Sequence, residues 1–288
     1  MSKEKKADLL LILITLFWGS SYYLTSICLE ELPPFTQNAF RFLSAFILLG
    51  AIFIKHIIKI NKVTLLYSLI IGMTLVVVYI GATFGIKYTS LSNAGFICCL
   101  AVLITPLILF VFFGKKPGKK LFISLILCTV GLGLLVLNDS FIPAKGDLLC
   151  LLCAVFYSFD IIVTERAVAR NDVDPLGLGV CQLGVAGVGM TVLAFIFEEP
   201  ALPKTPTVWA SVLFLGIVCS GITFIIQTVA QKWTSASHAA LIFTLEPVFS
   251  AAIAYFIAGE RLSARAYVGA VLMIISIFIT EISIKRKV

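Results

Sequence analysis

Charge is what this sequence most lacks. Only 13% of its 288 residues are Asp, Glu, Lys or Arg, while 60% are hydrophobic and the mean hydropathy reaches +1.08. A soluble domain carries about 25% charged residues. So much apolar surface has no room inside one water-soluble core, and lipid must solvate most of it. Histidine is confined to His56 and His238. No HExxH, no His/Asp cluster and no nucleophile motif is present, which removes the usual signatures of a membrane-embedded enzyme. No nucleotide-binding motif is present either, so transport by such a chain would run on a gradient or on exchange. No connecting stretch is long enough to form a soluble domain.

The net charge of +7 does not point to nucleic acid, because the basic residues fall in short clusters between apolar runs, such as Lys3, Lys5 and Lys6 and then Lys115, Lys116, Lys119 and Lys120. Clusters of this kind flank membrane helices on the cytoplasmic side. All eight cysteines lie inside apolar runs, where cysteine behaves as a small hydrophobe. Cys150 and Cys153 have CxxC spacing but no second pair, so neither a metal nor a cofactor is expected. The run from Leu9 to Ile27 is too long for the core of a cleaved leader and reads as a retained first helix.

Stretches near the ~20 apolar residues a spanning helix needs fall at 8–28, 36–56, 64–86, 92–113 and 119–138, then at 146–167, 175–197, 206–230, 236–258 and 264–284. With the N-terminus in the cytoplasm, sixteen Lys and Arg collect on that side and six on the other. The positive-inside rule then places both termini inside, as an even number of crossings requires. The expected fold is an all-α polytopic membrane protein of ten transmembrane helices.

The chain also repeats itself. Asp8-Leu9-Leu10 matches Asp147-Leu148-Leu149 at an offset of 139, where Phe17, Trp18 and Thr25 meet Phe156, Tyr157 and Thr164. At an offset of 145, Lys87-Tyr88-Thr89-Ser90 meets Lys232-Trp233-Thr234-Ser235, and Ser92, Ala94 and Gly114 meet Ser237, Ala239 and Gly259. Two five-helix units are implied, 1–140 and 141–288. Five is odd, so the second unit is inverted relative to the first. Inverted repeats are the build of secondary transporters, whose sites lie near the midplane between the repeats.

Several motifs carry a family likeness. Phe17-Trp18-Gly19-Ser20-Ser21, Pro33-Pro34, Arg41-Phe42, Lys87-Tyr88-Thr89-Ser90 with Ala94, and Leu245-Glu246-Pro247-Val248-Phe249 running on to Gly259-Glu260-Arg261-Leu262 resemble the EamA family of the drug/metabolite transporter superfamily. The likeness covers nearly the whole chain. It implies a carrier of the bacterial inner-membrane type, often an exporter of amino acids or other small metabolites. The chain departs from the family pattern at Asp160, and at Pro106, which lies one turn later than Pro247 would predict and so weakens the expected symmetry of the fourth and ninth helices.

Two carboxylates, Asp160 and Glu246, lie deep in apolar helices, where the repeat puts Ser21 and Ala101 in the other half. A charge there costs about 2.5–3.5 kcal/mol on insertion scales and must face protein or water. Each is a candidate for holding a cationic group of a substrate or for carrying a proton. A structural role for Glu246, beside the kink of Pro247, is the competing reading. Trp18, Ser21 and Thr25 share one helix face, and Tyr157, Asp160 and Thr164 repeat that stripe. With Glu246 these six form the expected substrate site. Arg41 is expected to snorkel to the outer interface, His238 to be structural, and Gly184, Gly187 and Gly189 to be close-packing positions. Asn38, Asn93, Gln182 and Gln227 are weaker candidates. The expected function is secondary transport of a small polar metabolite, an amino acid or amine, and not catalysis; a membrane-embedded enzyme and a non-transporting helical partner are the rival classes. The expected partners are that solute and the bilayer, with a homodimer left open and the cell membrane as the location.

Overall fold

A computed structural model describes residues 3–89, 91–136, 145–258 and 263–284. Ser90, the 140/141 repeat junction, the Gly259–Leu262 end of the last motif, the C-terminal basic residues and the side chain of Asn93 lie outside the described residues. All regular structure in the described residues is helical. The helices are α1 (Lys3–Leu29), α2 (Pro34–Ile52), the short α3 (Ile54–Ile58), α4 (Lys62–Tyr88), α5 (Leu91–Cys99), α6 (Ala101–Phe113), α7 (Lys119–Val136), α8 (Lys145–Val168) and α9 (Pro175–Phe197). Next come α10 (Pro206–Gly216), a π-helical turn (Ile217–Ile222), α11 (Thr223–Ala230) and a 3-10 turn (Gln231–Trp233). The chain closes with α12 (Ala236–Phe243), α13 (Glu246–Ala258) and α14 (Ala264–Ile284).

Local chemistry sets these boundaries. Asn61 caps α4 by accepting from the Thr64 amide at 2.7 Å, and Asp174 caps α9 by accepting from Leu176 and Gly177. Thr205 and Ser235 cap α10 and α12, supplying oxygens to amides that have no partner inside the helix. Pro34, Pro175 and Pro206 begin their helices, where the missing N–H costs nothing. Gly114, at φ +64°, ends α6 in the left-handed conformation that favours glycine.

Among the described residues, eight helical stretches are long and apolar enough to cross a bilayer, and Ala264–Ile279 is a shorter apolar helix. The protein is thus multi-pass, and its outward faces carry Ile47, Leu66, Phe112, Phe195 and Phe278, all well exposed, as lipid-facing helices should. The stretch expected at 36–56 is shorter than its apolar run. It stops at Ile52, and a separate turn of helix follows.

The helices touch through small residues. Gly184, Gly187 and Gly189 face Phe46, Leu43 and Val76, as close-packing positions should. Where van der Waals contact rather than water expulsion holds helices together, near approach of this kind supplies much of the adhesion.

Two carboxylates fasten one end of the bundle. Glu198, just beyond α9, accepts from the Phe35 and Thr36 amides at 2.9 and 2.8 Å and from the Thr36 hydroxyl at 3.0 Å. Glu31, just beyond α1, accepts from the Lys204 and Thr205 amides at 2.7 and 3.1 Å. Each acid thus serves the N-terminal end of a distant helix, Glu198 in the first turn of α2 and Glu31 just ahead of α10, where the dipole favours negative charge. The Thr205 hydroxyl, with the two amides, holds the Glu31 carboxyl below the usual carboxylate range. A depressed folded value stabilises fully above the unfolded value and is lost as pH falls through the folded one. The expected result is that Glu31→Gln makes the melting temperature less sensitive to acid between roughly pH 3 and 5. A wild-type slope in that variant, read by thermal melts in one detergent, would count against the cap.

Candidate functional site

A cavity of about 110 Å³ opens within the bundle. Its walls come from the second half of α1, the start of α2, the end of α4, the α5–α6 and α12–α13 junctions, the middle of α8, and α11. It therefore lies toward the end of the bundle where α1 turns into α2. At the opposite end His238 Nε2 and Asp8 Oδ1 stand 3.1 Å apart, both nearly buried, and join α12 to α1.

Four aromatic rings make the floor. Trp18 lies 5.0 Å from Phe243, 5.8 Å from Phe224 and 6.1 Å from Tyr157, and Tyr157 stacks on Phe243 at 6.0 Å. Mixed edge-on and tilted contacts of this kind suit the ring quadrupoles. The indole N–H of Trp18 is held by the Cys219 carbonyl at 3.0 Å and the Thr223 hydroxyl at 3.1 Å. Cys219 belongs to the π-helical turn, and its carbonyl also accepts from the Thr223 hydroxyl at 2.8 Å.

Two opposite charges face the space above that floor. Arg41 is 3% exposed, donates Nε–H to the Ser220 hydroxyl at 2.5 Å, and sets its guanidinium 4.8 Å above the Tyr79 ring. This corrects the expectation of snorkelling. Arg41 is the eighth residue of α2 and turns inward, between Tyr79 and the π-helical turn. Its two Nη groups find no partner among the described residues. Glu246 is half-buried beside Tyr22, and Arg41 and Glu246 make no direct ion pair among the described residues.

Glu246 owes its place to an interrupted helix. α12 stops at Phe243, Thr244 and Leu245 form a tight turn, and α13 begins at Glu246. α5 and α6 are interrupted in the same way at Leu100, and α6 begins at Ala101. Ala101 and Glu246 both line the cavity, so two helix N-termini, with their positive ends, meet there. Pro106 and Pro247 leave the Val102 and Phe243 carbonyls without their usual donors, each within two residues of an interruption. The displaced proline therefore does not displace the break.

Of the expected site residues, Trp18, Ser21, Thr25, Tyr157 and Glu246 line the cavity. Asp160 and Thr164 do not. Tyr157 and Ile161 turn one face of α8 to the cavity, and each helical residue advances by roughly 100°. Asp160 therefore faces sideways, with Thr74 Oγ1 3.4 Å from its Oδ2, and Thr164 is buried two turns past the floor. Asn38 donates to Thr83, which lines the wall, at 2.9 Å. Gln182 and Gln227 lie outside the wall, bonded to Thr228 and Gln231. Tyr22, Tyr79, Phe224 and Phe243 were not read from the sequence, since an aromatic in an apolar helix carries no mark of where it faces. Among the described residues, no group of three or more His, Cys, Asp or Glu is placed to hold a metal ion.

The profile of the EamA-like transporter family matches residues 5–137 and again 144–282. An uncharacterized transporter of Archaeoglobus fulgidus is 27% identical over 98% of this chain and 88% of its own length. The uncharacterized transporter YoaV of Bacillus subtilis is 23% identical over 98% of this chain and 99% of its own. A solved crystal structure superposes with a TM-score of 0.81 at 18% identity, covering 98% of both chains, a likeness of fold alone.

Proposed function

Because the chain belongs to the EamA-like transporter family, we propose that it carries a small zwitterionic metabolite, an amino acid in the first instance, by alternating access around the cavity. One observation carries this reading: a cation, Arg41, and an anion, Glu246, face the same small space above an aromatic floor. Arg41 presents Nη groups that have no partner among the described residues and suit a carboxylate in bidentate geometry. The N-terminus of α6 adds positive potential. Glu246 and the Tyr157 and Trp18 rings suit an ammonium group. A volume of about 110 Å³ equals roughly four waters, which fits a small solute.

The carrier is proposed to cross the membrane ten times as two inverted repeats, with both termini in the cytoplasm of a cell membrane. The two stretches matched by the family profile and the interruptions at Leu100 and Leu245, 145 residues apart, support the repeat. In that orientation the cavity faces outward and the Asp8–His238 pair closes the inner side. The direction proposed is export, by exchange or on a gradient.

A thermal-shift comparison tests the zwitterion. Small amino acids, their decarboxylated amines and their deaminated acids would each be added to the purified protein. A ligand of the folded state stabilises by mass action, and the expected order puts the amino acid above both truncated forms. Equal shifts from an amine and its parent amino acid would remove Arg41 from the site.

A further inference from the structure

Behind the aromatic floor lies a second polar group, which the cavity does not reach. Asp160 on α8 is 1% exposed, Gln227 on α11 is 1% exposed, and Gln231 on the 3-10 turn is 2% exposed. Gln227 lies beside the Asp160 carboxyl and donates through Nε2 to Gln231 Oε1 at 3.2 Å, while Gln231 donates to the Ile161 carbonyl at 3.1 Å. Gln227 Oε1 is buried and accepts no hydrogen bond. No Lys, Arg or His among the described residues forms an ion pair with Asp160. α4 brings Thr74, α11 brings Gln227, and α8 itself brings Tyr157. α5, α6, α12 and the 3-10 turn, which also pack on α8, bring no charged group within ion-pair distance.

Hydrogen-bond bookkeeping decides what Asp160 needs. Thr74 has one hydroxyl proton, and the Ile71 carbonyl takes it at 2.7 Å. Thr74 Oγ1 is also placed as a donor to Asp160 Oδ2 at 3.4 Å, a long contact that its one proton can make only by leaving the Ile71 carbonyl. A protonated carboxyl would instead donate to Thr74 Oγ1 and leave the Ile71 bond in place. A lone carboxylate this deep in a membrane protein needs a cation or a proton to neutralise it, and no cation is supplied by the described residues.

We propose that Asp160, Thr74 and Gln227 form a second station of the carrier, separate from the substrate cavity, which holds a proton on Asp160 in this conformation. The proton is taken from water on the side to which the station opens, and it returns there when the bundle reopens on that side. Asp160 and the floor residue Tyr157 share one turn of α8, so a movement of that helix acts on both. The inference rests on the reading of the chain as a carrier.

Infrared difference spectroscopy of the purified protein in lipid tests it without any substrate. The wild type at neutral pH is expected to show the carbonyl stretch of a protonated carboxyl, downshifted in D₂O. Asp160→Asn should lose the band, Glu246→Gln should keep it, and Thr74→Val and Gln227→Leu should each shift it. Should Asp160→Asn fail to fold, the shifts in the other two variants carry the assignment. Absence of the band from the wild type at neutral pH overturns the proposal. So does its loss when sodium chloride replaces choline chloride, since an alkali cation would then occupy the carboxylate. A band insensitive to both Thr74→Val and Gln227→Leu overturns the station as drawn. The measurement can fail while amino acids still stabilise the protein, and the reverse also holds, so the two readings stand or fall separately.

Discussion

Replacing Arg41 with alanine is expected to weaken binding of the best-stabilising amino acid by roughly 100-fold, about 3 kcal/mol. The guanidinium is nearly buried over the Tyr79 ring, and among the described residues only its Nε is hydrogen-bonded, to Ser220. Removing it takes away the one side-chain cation of the cavity among the described residues and leaves Glu246 there unopposed. Arg41→Lys should recover only part of the loss, since an ammonium gives neither the planar fork nor the stack on Tyr79. Isothermal titration would measure both. Glu246→Gln supplies the mirror experiment, because it should cut the advantage of the amino acid over its deaminated acid while sparing the acid itself. Wild-type affinity in Arg41→Ala would end the zwitterion reading.

Gly19 is where a single methyl group should do most harm. A Cβ there would meet the Ser250 amide nitrogen at 2.8 Å and the Glu246 carbonyl oxygen at 3.0 Å. Both are backbone atoms of α13 and cannot swing aside. Gly19→Ala is expected to cost about 1–3 kcal/mol of stability, in the range of overpacked cores, and Gly19→Val more. Because Trp18 and Glu246 are carried by the two helices forced apart, ligand affinity should fall with the melting temperature. Gly95 in α5 is the control, since a Cβ there would meet nothing within 4 Å, and Gly95→Ala should melt within a degree or two of the wild type. Equal melting of Gly19→Ala and Gly95→Ala would show that α1 and α13 are less tightly joined than their geometry says.

The sequence made the helices legible because apolar runs, caps and prolines act locally. Asp174-Pro175 and Thr205-Pro206 announce α9 and α10 before any packing is known. Trp18, Ser21 and Thr25 were legible as one face because helical spacing places them there. The stripe on α8 failed for a reason equally physical. Periodicity says which residues share a face within about a quarter turn, and a neighbouring helix decides which part of that arc meets the cavity. On α8 the arc centred on Tyr157 and Ile161, and Asp160 fell outside it. Arg41 misled because an arginine two turns into a helix can reach the interface or turn inward, and its partners Ser220 and Tyr79 come from segments remote in sequence. The break at Leu100 had no local mark, since leucine is a good helix former and Pro106 pointed further along.

The π-helical turn at Ile217–Ile222 bears on chain length rather than on composition. Such turns amount to one residue more than an α-helix would hold, and one residue rotates all that follows by about 100°. Val208, Val212 and Leu215 ahead of it pack on Cys28 and Leu32, while Phe224 just after it reaches the aromatic floor. With a straight helix the two sets could not both be served, and another side chain would come round to the floor. A relative one residue shorter in this helix would therefore present a different floor residue even where every neighbouring letter agreed. Correspondence between two such chains has to be judged by helix phase, because counting positions across the turn pairs residues that point in different directions.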